Sequence, residues 1–245
     1  MKFAFLFYQG MTALDMIGPH EILSRLPGVE ALRVAKHAGP IHTDCGVTLT
    51  ADVGFADVMQ ADVLLIPGAG NATAMQDDPA TLDWVRRIDA TTRWTTSVCT
   101  GSLILGAAGL LRGIRATSHW AALDRLRAFG ATPVSARVVE DGKIVTGAGV
   151  AAGIDMALTL AARIAGERIA RTLQLAIEYD PDPPFDSGHP SKADPALVAR
   201  LGDRMAMAFV APPGGGRAVA LPAPRCGDAR QRAATALTCG APDRT

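Results

Sequence analysis

The sequence has no excess of charge and no metal-binding cysteine pattern. Its 24 Lys and Arg residues balance 24 Asp and Glu residues, so the formal net charge is zero. No basic block is long enough to predict a nucleic-acid partner or a membrane surface. The four cysteines form no CxxC pair and have no histidine cluster beside them; they are Cys45, Cys99, Cys226 and Cys239. We therefore expect no zinc site, no disulfide scaffold and no bound cofactor.

Long apolar runs are also missing. The N-terminal MKFAFLFYQG is briefly apolar but has neither the longer apolar region nor the cleavage site of a signal peptide, so it predicts a first strand. No run approaches the roughly 18 residues of a membrane span. These features lead us to expect a cytoplasmic protein whose ligand is small and uncharged.

The segment at residues 93–111, RWTTSVCTGSLILGAAGLL, carries the clearest chemical signal. A β-branched run stops at Cys99, the residues Thr-Gly-Ser follow, and an apolar helical pattern begins. This order predicts a nucleophile elbow, in which a strand delivers a cysteine to a sharp turn that opens a helix. The N–H groups and dipole of the helix are expected to favour the thiolate of Cys99. The alternative is that Cys99 is a small buried core residue.

Predicted strands and helices alternate along most of the chain. Strands are predicted at 3–8, 32–38, 62–66, 94–98, 137–140 and 143–146, and helices at 18–26, 79–90, 101–111, 120–129, 149–165, 167–179 and 194–209. This alternation predicts an α/β fold with a doubly wound, mainly parallel sheet and helices on both faces. Residues 1–211 are expected to form one domain. Residues 212–245, rich in Pro, Gly and Ala, are expected to be a poorly ordered tail.

Three loops should meet at the carboxyl edge of this sheet, where doubly wound proteins bind ligands. They carry Asp15, the sequence PGAG at 67–70, and Cys99. The glycines at 68–70 and 147–149 superficially resemble a dinucleotide fingerprint, but neither group has its full context, so we do not predict nucleotide binding. The candidates to present backbone N–H groups to a reacting atom are Gly68, Ala69, Gly70 and Gly101.

The motifs together resemble the DJ-1/PfpI superfamily. In order along residues 1–210, these motifs are DMIGP (15–19), LLIPGAG (64–70), VCTGSLILGAAGLLRG (98–113), ATSHW (116–120) and GAGVAAGIDMAL (147–158). The resemblance implies a flavodoxin-like fold of the class I glutamine amidotransferase type. Within the superfamily, Asp15, the pair Cys99-Thr100 and IEYDPDPPFDSG (177–188) are similar to the isonitrile hydratase branch. The protease-like branch has His in place of Thr100, and the DJ-1 branch has Glu in place of Asp15.

Membership of that branch implies a lyase that hydrates a neutral isonitrile to an N-substituted formamide. Cys99 would attack the terminal carbon, and Asp15 would deliver and then recover a proton around a thioimidate intermediate. Thr100 would hydrogen-bond Asp15 or the substrate nitrogen. The structural alternatives are that Asp15 only caps the following helix and that Thr100 only forms the turn.

Two further residues are expected near the site in supporting positions. His119 is expected to make a structural hydrogen bond, with a role in catalysis as the alternative, and the side chain of Val150 is expected to lie near Cys99. A rival function is a non-catalytic sensor domain, because related transcription regulators append a helix-turn-helix region to a similar domain. Only 34 residues follow Ala211, too few for that module. A thiol-dependent enzyme acting on reactive carbonyls is a third possibility.

Two segments lie outside the alternating pattern and predict self-association. Residues 41–51 form an extended excursion and residues 180–188 form a Pro-rich loop; they carry Val47, Leu49, Pro184 and Phe185. Exposed apolar groups of this kind more often cover an interface than face water, and superfamily members are commonly dimers. We expect a homodimer with these segments at the interface or beside the partner's active site. The alternative is that residues 180–188 fold over their own domain as a lid.

Overall fold

The computed structural model describes residues 1–70 and 73–208, so the predicted tail at 212–245 lies outside the described residues. The strands are β1 (Lys2–Leu6), β2 (Glu30–Ala35), β3 (Gly39–His42), β4 (Thr48–Ala51), β5 (Val53–Gly54), β6 (Val63–Ile66), β7 (Trp94–Val98), β8 (Arg115–Ala116), β9 (Thr132–Pro133), β10 (Val138–Asp141) and β11 (Ile144–Gly147). The α-helices are α1 (Ala13–Leu23), α2 (Thr73–Gln76), α3 (Pro79–Asp89), α4 (Gly101–Ala107), α5 (Ala152–Ala165), α6 (Glu167–Ala176) and α7 (Pro195–Ala208). Short 3-10 helices span Phe55–Asp57 and Trp120–Phe129.

The central sheet has seven strands in the order β10-β11-β7-β6-β1-β2-β5. All neighbouring pairs are parallel except β10 and β11, which form an antiparallel hairpin that turns after Asp141, at Gly142. β6 is buried at all four positions, as expected for a central strand covered on both faces. The predicted doubly wound, mainly parallel sheet is confirmed.

Close packing beside β7 places the second half of the chain against the sheet. α5 packs against α1, β7 and β11, while α4 packs against β6 and β7. A Cβ atom on Gly153 would lie 3.0 Å from the Pro19 ring and 3.2 Å from Val98, so glycine lets α5 approach both elements. The strand order β7-β6-β1 therefore brings the ends of three strands and two helices to one edge.

Several predicted boundaries are wrong. α1 begins at Ala13 rather than near residue 18, and Pro19 lies inside the helix instead of in its first turn. α4 ends at Ala107, two residues before Gly109, which adopts a φ of +82°. Residues 120–129 form a 3-10 helix. Residues 41–51 belong to the antiparallel hairpin β3–β4, which turns through Gly46 at a φ of +88°.

No α-helix within residues 1–70 and 73–208 is both long enough and apolar enough to cross a bilayer. Over the same residues, no group of three or more His, Cys, Asp or Glu side chains could hold a metal ion. The proposed domain boundary at residue 211 follows the last residue of α7, Ala208, and stays a prediction.

Candidate active site

Cys99 lies on a strained turn between β7 and α4. Its φ of 58° is in the left-handed region, which costs a non-glycine residue roughly 1–3 kcal/mol. The backbone N–H of Cys99 donates to the carbonyls of Gly147 (3.1 Å) and Ala148 (2.8 Å). Its carbonyl accepts from the hydroxyls of Ser102 (3.2 Å) and Ser118 (3.1 Å). These bonds hold the strained conformation, so the predicted strand–turn–helix elbow is present.

Asp15 is fully buried in the first turn of α1 and points at the loop after β6. Its Oδ2 atom accepts a hydrogen bond of 2.8 Å from the N–H of Gly68. Among the described residues, no hydrogen-bond partner reaches Oδ1. The idea that Asp15 caps the helix is wrong, because the N-cap position is occupied by Thr12 and Asp15 lies inside the helix.

Burial raises the pKa of Asp15 to about 7. The Gly68 N–H lowers that pKa, the nearby Asp44 carboxylate raises it, and the adjacent Cys99 thiol lowers it. A catalytic acid beside a thiolate is expected to have a raised pKa because the two negative charges repel each other. Such repulsion by Cys99 does not raise the pKa of Asp15. The structure assigns that role to desolvation instead. The result is a carboxyl group that can hold or release a proton near neutral pH.

The pKa of the Cys99 thiol is raised well above its ordinary value, although backbone N–H groups at the elbow favour the thiolate as expected. Burial is the largest cause, followed by the negative charge of Asp15. The backbone N–H groups of Val150 and Thr100 and the hydroxyl of Thr100 act in the opposite direction. Because burial outweighs them, Cys99 rests as a thiol whose proton must be accounted for in any reaction.

Thr100 connects the elbow to the loop after β6. Its Oγ1 atom accepts from the N–H of Ala69 and donates to the carbonyl of Ala69, each at 2.9 Å. The residue is completely buried. The structure therefore brings Asp15 of α1 together with Cys99 and Thr100 of the turn after β7.

Gly68 and Gly101 are glycines because these loops pack so closely. A Cβ atom on Gly68 would lie 2.5 Å from Thr100 Oγ1 and 2.9 Å from Asp15 Oδ2. A Cβ atom on Gly101 would overlap the carbonyl oxygen of Ile66 and lie 2.8 Å from that of Pro67. Both positions allow the Asp15 carboxyl, the Thr100 hydroxyl and the Cys99 thiol to approach one another.

The amides of the loop after β6 are already engaged, which changes the role predicted for them. The N–H of Gly68 bonds Asp15, that of Ala69 bonds Thr100, and that of Gly70 bonds the Asp44 carboxylate. These groups position side chains and are not free to bind a substrate atom. The amides that face the thiol belong to Thr100 and Val150. For Val150, the backbone N–H makes this contact with the thiol, and the predicted approach of its side chain to Cys99 stays a prediction.

Tyr8 and Asp44 belong to the same network and were missed in the sequence. The buried Tyr8 hydroxyl donates to the carbonyl of Pro67 at 2.9 Å. Burial, followed by the charges of Asp15, Cys99 and Asp44, raises the pKa of Tyr8. Tyr8 lies two residues beyond the carboxyl end of β1. Because ligands bind at the carboxyl ends of the strands in such sheets, this position could have marked Tyr8 as a candidate, as it did Asp15. Asp44 lies in the hairpin turn, where no comparable signal exists.

His119 has the structural role expected of it. Its Nδ1 atom accepts from the N–H of Ala121 at 3.3 Å, which caps the 3-10 helix. Burial lowers the pKa of His119 to about 4, so the ring is neutral at physiological pH. Neutral His119 can accept this hydrogen bond without carrying a buried charge.

A cavity of about 590 Å³ lies beside the elbow. Its walls include Ser118 and Ala148, which bond the backbone of Cys99, and Val150, whose amide faces the thiol. Trp120, Leu123, Val150, Pro183 and Phe185 provide apolar surface. Arg137, Asp186 and Lys192 supply charges at the same cavity. Residues of the Pro-rich loop thus line a cavity of their own domain, as the lid alternative requires.

Sequence comparison identifies the class of protein to which this geometry belongs. Residues 1–163 match the model of the DJ-1/PfpI family, and the chain belongs to that family. A THiJ/PfpI family protein from Pseudomonas syringae has the same fold, with a TM-score of 0.82 and 41% identity, covering 84% of this chain and 86% of that one.

Two curated relatives illustrate the functions found around this chain. The isonitrile hydratase of Pseudomonas putida is 45% identical over 206 residues, which are 84% of this chain and 90% of that protein. The HTH-type transcriptional regulator CdhR of Pseudomonas aeruginosa is 32% identical over 165 residues, covering 61% of this chain and 49% of the regulator. The first similarity extends over nearly the whole enzyme, whereas the second is confined to about half of the regulator.

Proposed function

We infer that this chain is an isonitrile hydratase, which adds water to R–N≡C and releases an N-substituted formamide. The similarity to the P. putida enzyme over most of both chains supports this activity. The observation that carries the chemistry is the placement of the Cys99 thiol beside the buried Asp15 carboxyl, close enough for each group to shift the pKa of the other. The terminal carbon of an isonitrile must gain both a nucleophile and a proton, and this pair supplies both.

The first step uses the state in which the pair holds one proton. With that proton on Asp15, the Cys99 thiolate attacks the terminal carbon and forms a C–S bond. The carboxyl group transfers its proton to the same carbon. The product is a thioimidate, R–N=CH–S–Cys99, beside an ionised Asp15. No charge is created overall, which suits a site whose burial disfavours additional ionisation.

The second step adds water to the thioimidate. Asp15 accepts a proton from water as the oxygen bonds to carbon, and then returns that proton to the nitrogen. The adduct is R–NH–CH(OH)–S–Cys99. When the C–S bond breaks, the hydroxyl proton passes to Asp15, the formamide leaves, and the original one-proton pair is restored. Atoms and charge balance across the cycle.

Thr100 and the backbone amides hold this pair in place. The Thr100 hydroxyl has one proton, which it can direct to the Ala69 carbonyl or to the cysteine sulfur. The amides of Thr100 and Val150 stabilise negative charge on that sulfur when it forms and when it leaves. Thr100 therefore acts on the nucleophile, while Gly68 and Ala69 support Asp15 and Thr100.

The cavity beside the elbow is our candidate for the N-substituent of the substrate. It has room for a group much larger than methyl, and its aromatic and aliphatic walls favour an apolar one. The isonitrile carbon would point from this cavity toward Cys99, past Val150.

Product analysis tests the proposed activity directly. We expect purified protein to convert a simple aliphatic isonitrile to its formamide and to leave methylglyoxal unconsumed. Methylglyoxal consumption without formamide formation would instead support an enzyme of reactive carbonyls. If the protein binds an isonitrile without turnover, it is better described as a sensor, the role to which the regulator similarity points.

We also propose that the protein acts as a homodimer. Val47 on the hairpin is 47% exposed, and Leu14 and Ile17 on α1 are 45% and 43% exposed. Ile17 and Leu49 line a shared hollow of about 300 Å³ between α1 and β4. Exposed apolar groups around a hollow favour burial against a second copy.

A further inference from the structure

Asp44, in the turn of the β3–β4 hairpin, bonds two loops that belong to the active site. Its Oδ2 atom accepts from the hydroxyl of Thr12 at 2.6 Å. Its carboxylate also accepts from the backbone N–H groups of Gly70 and Cys45. The N–H of Asp44 itself donates to the carbonyl of Met11 at 3.1 Å. The hairpin turn is thus tied to the loop before α1 and to the loop after β6.

The contact with Thr12 replaces a local interaction that this residue would ordinarily make. Thr12 is the N-cap of α1, yet its side chain makes no capping hydrogen bond. A threonine cap contributes about 1 kcal/mol to helix stability, and here the hydroxyl is directed to Asp44 instead. The backbone N–H of Thr12 donates to the carbonyl of Gly68 at 2.9 Å. Thr12 therefore connects the start of α1 to both Asp44 and the loop that holds Asp15.

Asp15 lies between the two points that Asp44 fixes. It follows Thr12 by three residues along α1, and its carboxylate accepts from Gly68, two residues before Gly70. We propose that Asp44 is a positioning residue of the active site, which fixes the two loops so that Asp15 reaches both Gly68 and the Cys99 thiol. This inference rests on the proposed function only for the catalytic role of Asp15.

The charge of Asp44 also raises the pKa of Asp15, so the loss of that charge should change how activity depends on pH. The titratable groups that face Asp15 are Asp44 from the hairpin, Tyr8 from the end of β1 and Cys99 from the elbow. Asp44 raises the pKa of Asp15, while the carboxylate that raises the pKa of Cys99 is Asp15. Removing the charge of Asp44 should therefore favour ionised Asp15. In the one-proton state, the proton then moves from Asp15 to the thiol, and less thiolate is present.

The matched variants are Asp44→Asn, Thr12→Val and Asp52→Asn. The Asp44→Asn variant keeps the shape of the side chain but loses its charge, and Thr12→Val removes one hydrogen-bond donor. Asp52 follows β4 in the same hairpin and pairs with Arg33, so it serves as the control. Near-ultraviolet circular dichroism establishes that each variant is folded before its activity is compared.

We expect Asp44→Asn to lose activity only where Asp15 would be ionised. Well below pH 7, kcat/KM should match the wild type, because the rate there depends on the thiol alone. Near pH 8.5, kcat/KM should fall roughly 3- to 10-fold, which corresponds to a drop of about 0.5–1 in the pKa of Asp15. Thr12→Val removes the hydrogen bond to Asp44 but not the Asp44 charge, so it should lower kcat/KM at every pH, and Asp52→Asn should not change it. For Asp44→Asn, a profile like that of Asp52→Asn would overturn the proposal, whereas an equal loss at every pH would support the positioning of the loops without an effect of the Asp44 charge.

A second measurement does not depend on isonitrile turnover. The rate of iodoacetamide alkylation at Cys99, followed by mass spectrometry of its peptide near pH 8, reports the thiolate population directly. Asp44→Asn should slow this alkylation by a similar roughly 3- to 10-fold factor and should have no effect in the Asp15→Asn background. Equal slowing in that background would show that Asp44 does not act through Asp15. If no isonitrile is hydrated but this dependence on Asp15 holds, the positioning role stands and only the proposed function fails.

Discussion

Thr100 and Ala69 exchange two hydrogen bonds, since Thr100 Oγ1 accepts from the Ala69 N–H and donates to the Ala69 carbonyl, each at 2.9 Å. This pair of hydrogen bonds joins the residue after Cys99 to the loop that bonds Asp15. Because Gly68, next to Ala69, also bonds Asp15, a small displacement of this loop changes both the acid and the elbow.

The first prediction concerns this loop. Gly68→Ala should lower kcat/KM at least tenfold and the free energy of unfolding by about 1–3 kcal/mol, because its Cβ would lie 2.5 Å from Thr100 Oγ1. Gly70→Ala is the matched control, since a Cβ there has no atom within 4 Å. Urea unfolding and steady-state rates should separate the two variants. Equal behaviour would mean that the close contact at Gly68 does not constrain the site.

The strands were the most predictable part of the fold. β7 spans Trp94–Val98 as expected, because a β-branched run is bounded there by Arg93 and the Cys-Thr-Gly turn. α1 was misplaced because a proline near a helix start ordinarily occupies the first turn. Here Pro19 lies in the interior, where it has no N–H to donate to the carbonyl of Asp15 four residues earlier. The helix nevertheless begins at Ala13 and includes Asp15.

The second prediction concerns the nucleophile. Cys99→Ala should reduce formamide formation on the order of 10³-fold or more while leaving the fold intact, because the covalent step is lost. Cys45→Ala should retain wild-type activity, since Cys45 is exposed and lies in the hairpin turn. Rates measured on an aliphatic isonitrile decide the matter. Normal turnover by Cys99→Ala would exclude the thioimidate mechanism.

The third prediction follows from the shared proton. At low pH, Asp15 and Cys99 are both protonated, and the reactive state has lost one of those two protons. Because the pKa of Asp15 is about 7, kcat/KM should rise with pH through that value and then level off. Asp15→Asn should lose about 10²- to 10⁴-fold in activity and no longer show this rise. A wild-type profile that is flat between about pH 5.5 and 8.5 would contradict the shared-proton state.

The three central site residues could be predicted because each lies at or near the carboxyl end of a parallel strand. What the sequence does not contain is the direction of the backbone groups around them. The glycine-rich sequence of this loop predicts that the amides of Gly68 and Ala69 bind a substrate atom, but in the structure they bond Asp15 and Thr100. The raised pKa of the Cys99 thiol could not be predicted either. The sequence predicts the start of the helix, whose N–H groups lower this pKa, but it does not contain the extent of burial, which raises it more.

The fourth prediction concerns the effect of buried Asp15 on the free energy of unfolding. Between about pH 4 and 7, folded Asp15 retains a proton that the unfolded chain releases, so the free energy of unfolding falls as pH rises through this window. The amide introduced by Asp15→Asn cannot ionise and avoids this cost. Asp15→Asn should therefore be more stable than the wild type at pH 8, by on the order of 4 kcal/mol, and similar to it at pH 4. Urea unfolding at both pH values provides the measurement. An equal difference at both would show that ionisation of Asp15 is not the cause.

The last prediction concerns self-association. If the hairpin lies at a two-fold interface, the wild type should have a mass near twice 25.5 kDa by light scattering at micromolar concentration. Val47→Asp should shift that mass toward the monomer, because a carboxylate buried against a second apolar surface would lose its hydration without gaining a partner. Met59→Asp is the matched control: Met59 is 61% exposed but lies outside the β3–β4 hairpin. It should leave the mass unchanged. A fully active wild-type species of 25.5 kDa would exclude the dimer and favour the alternative in which residues 180–188 act only within their own chain.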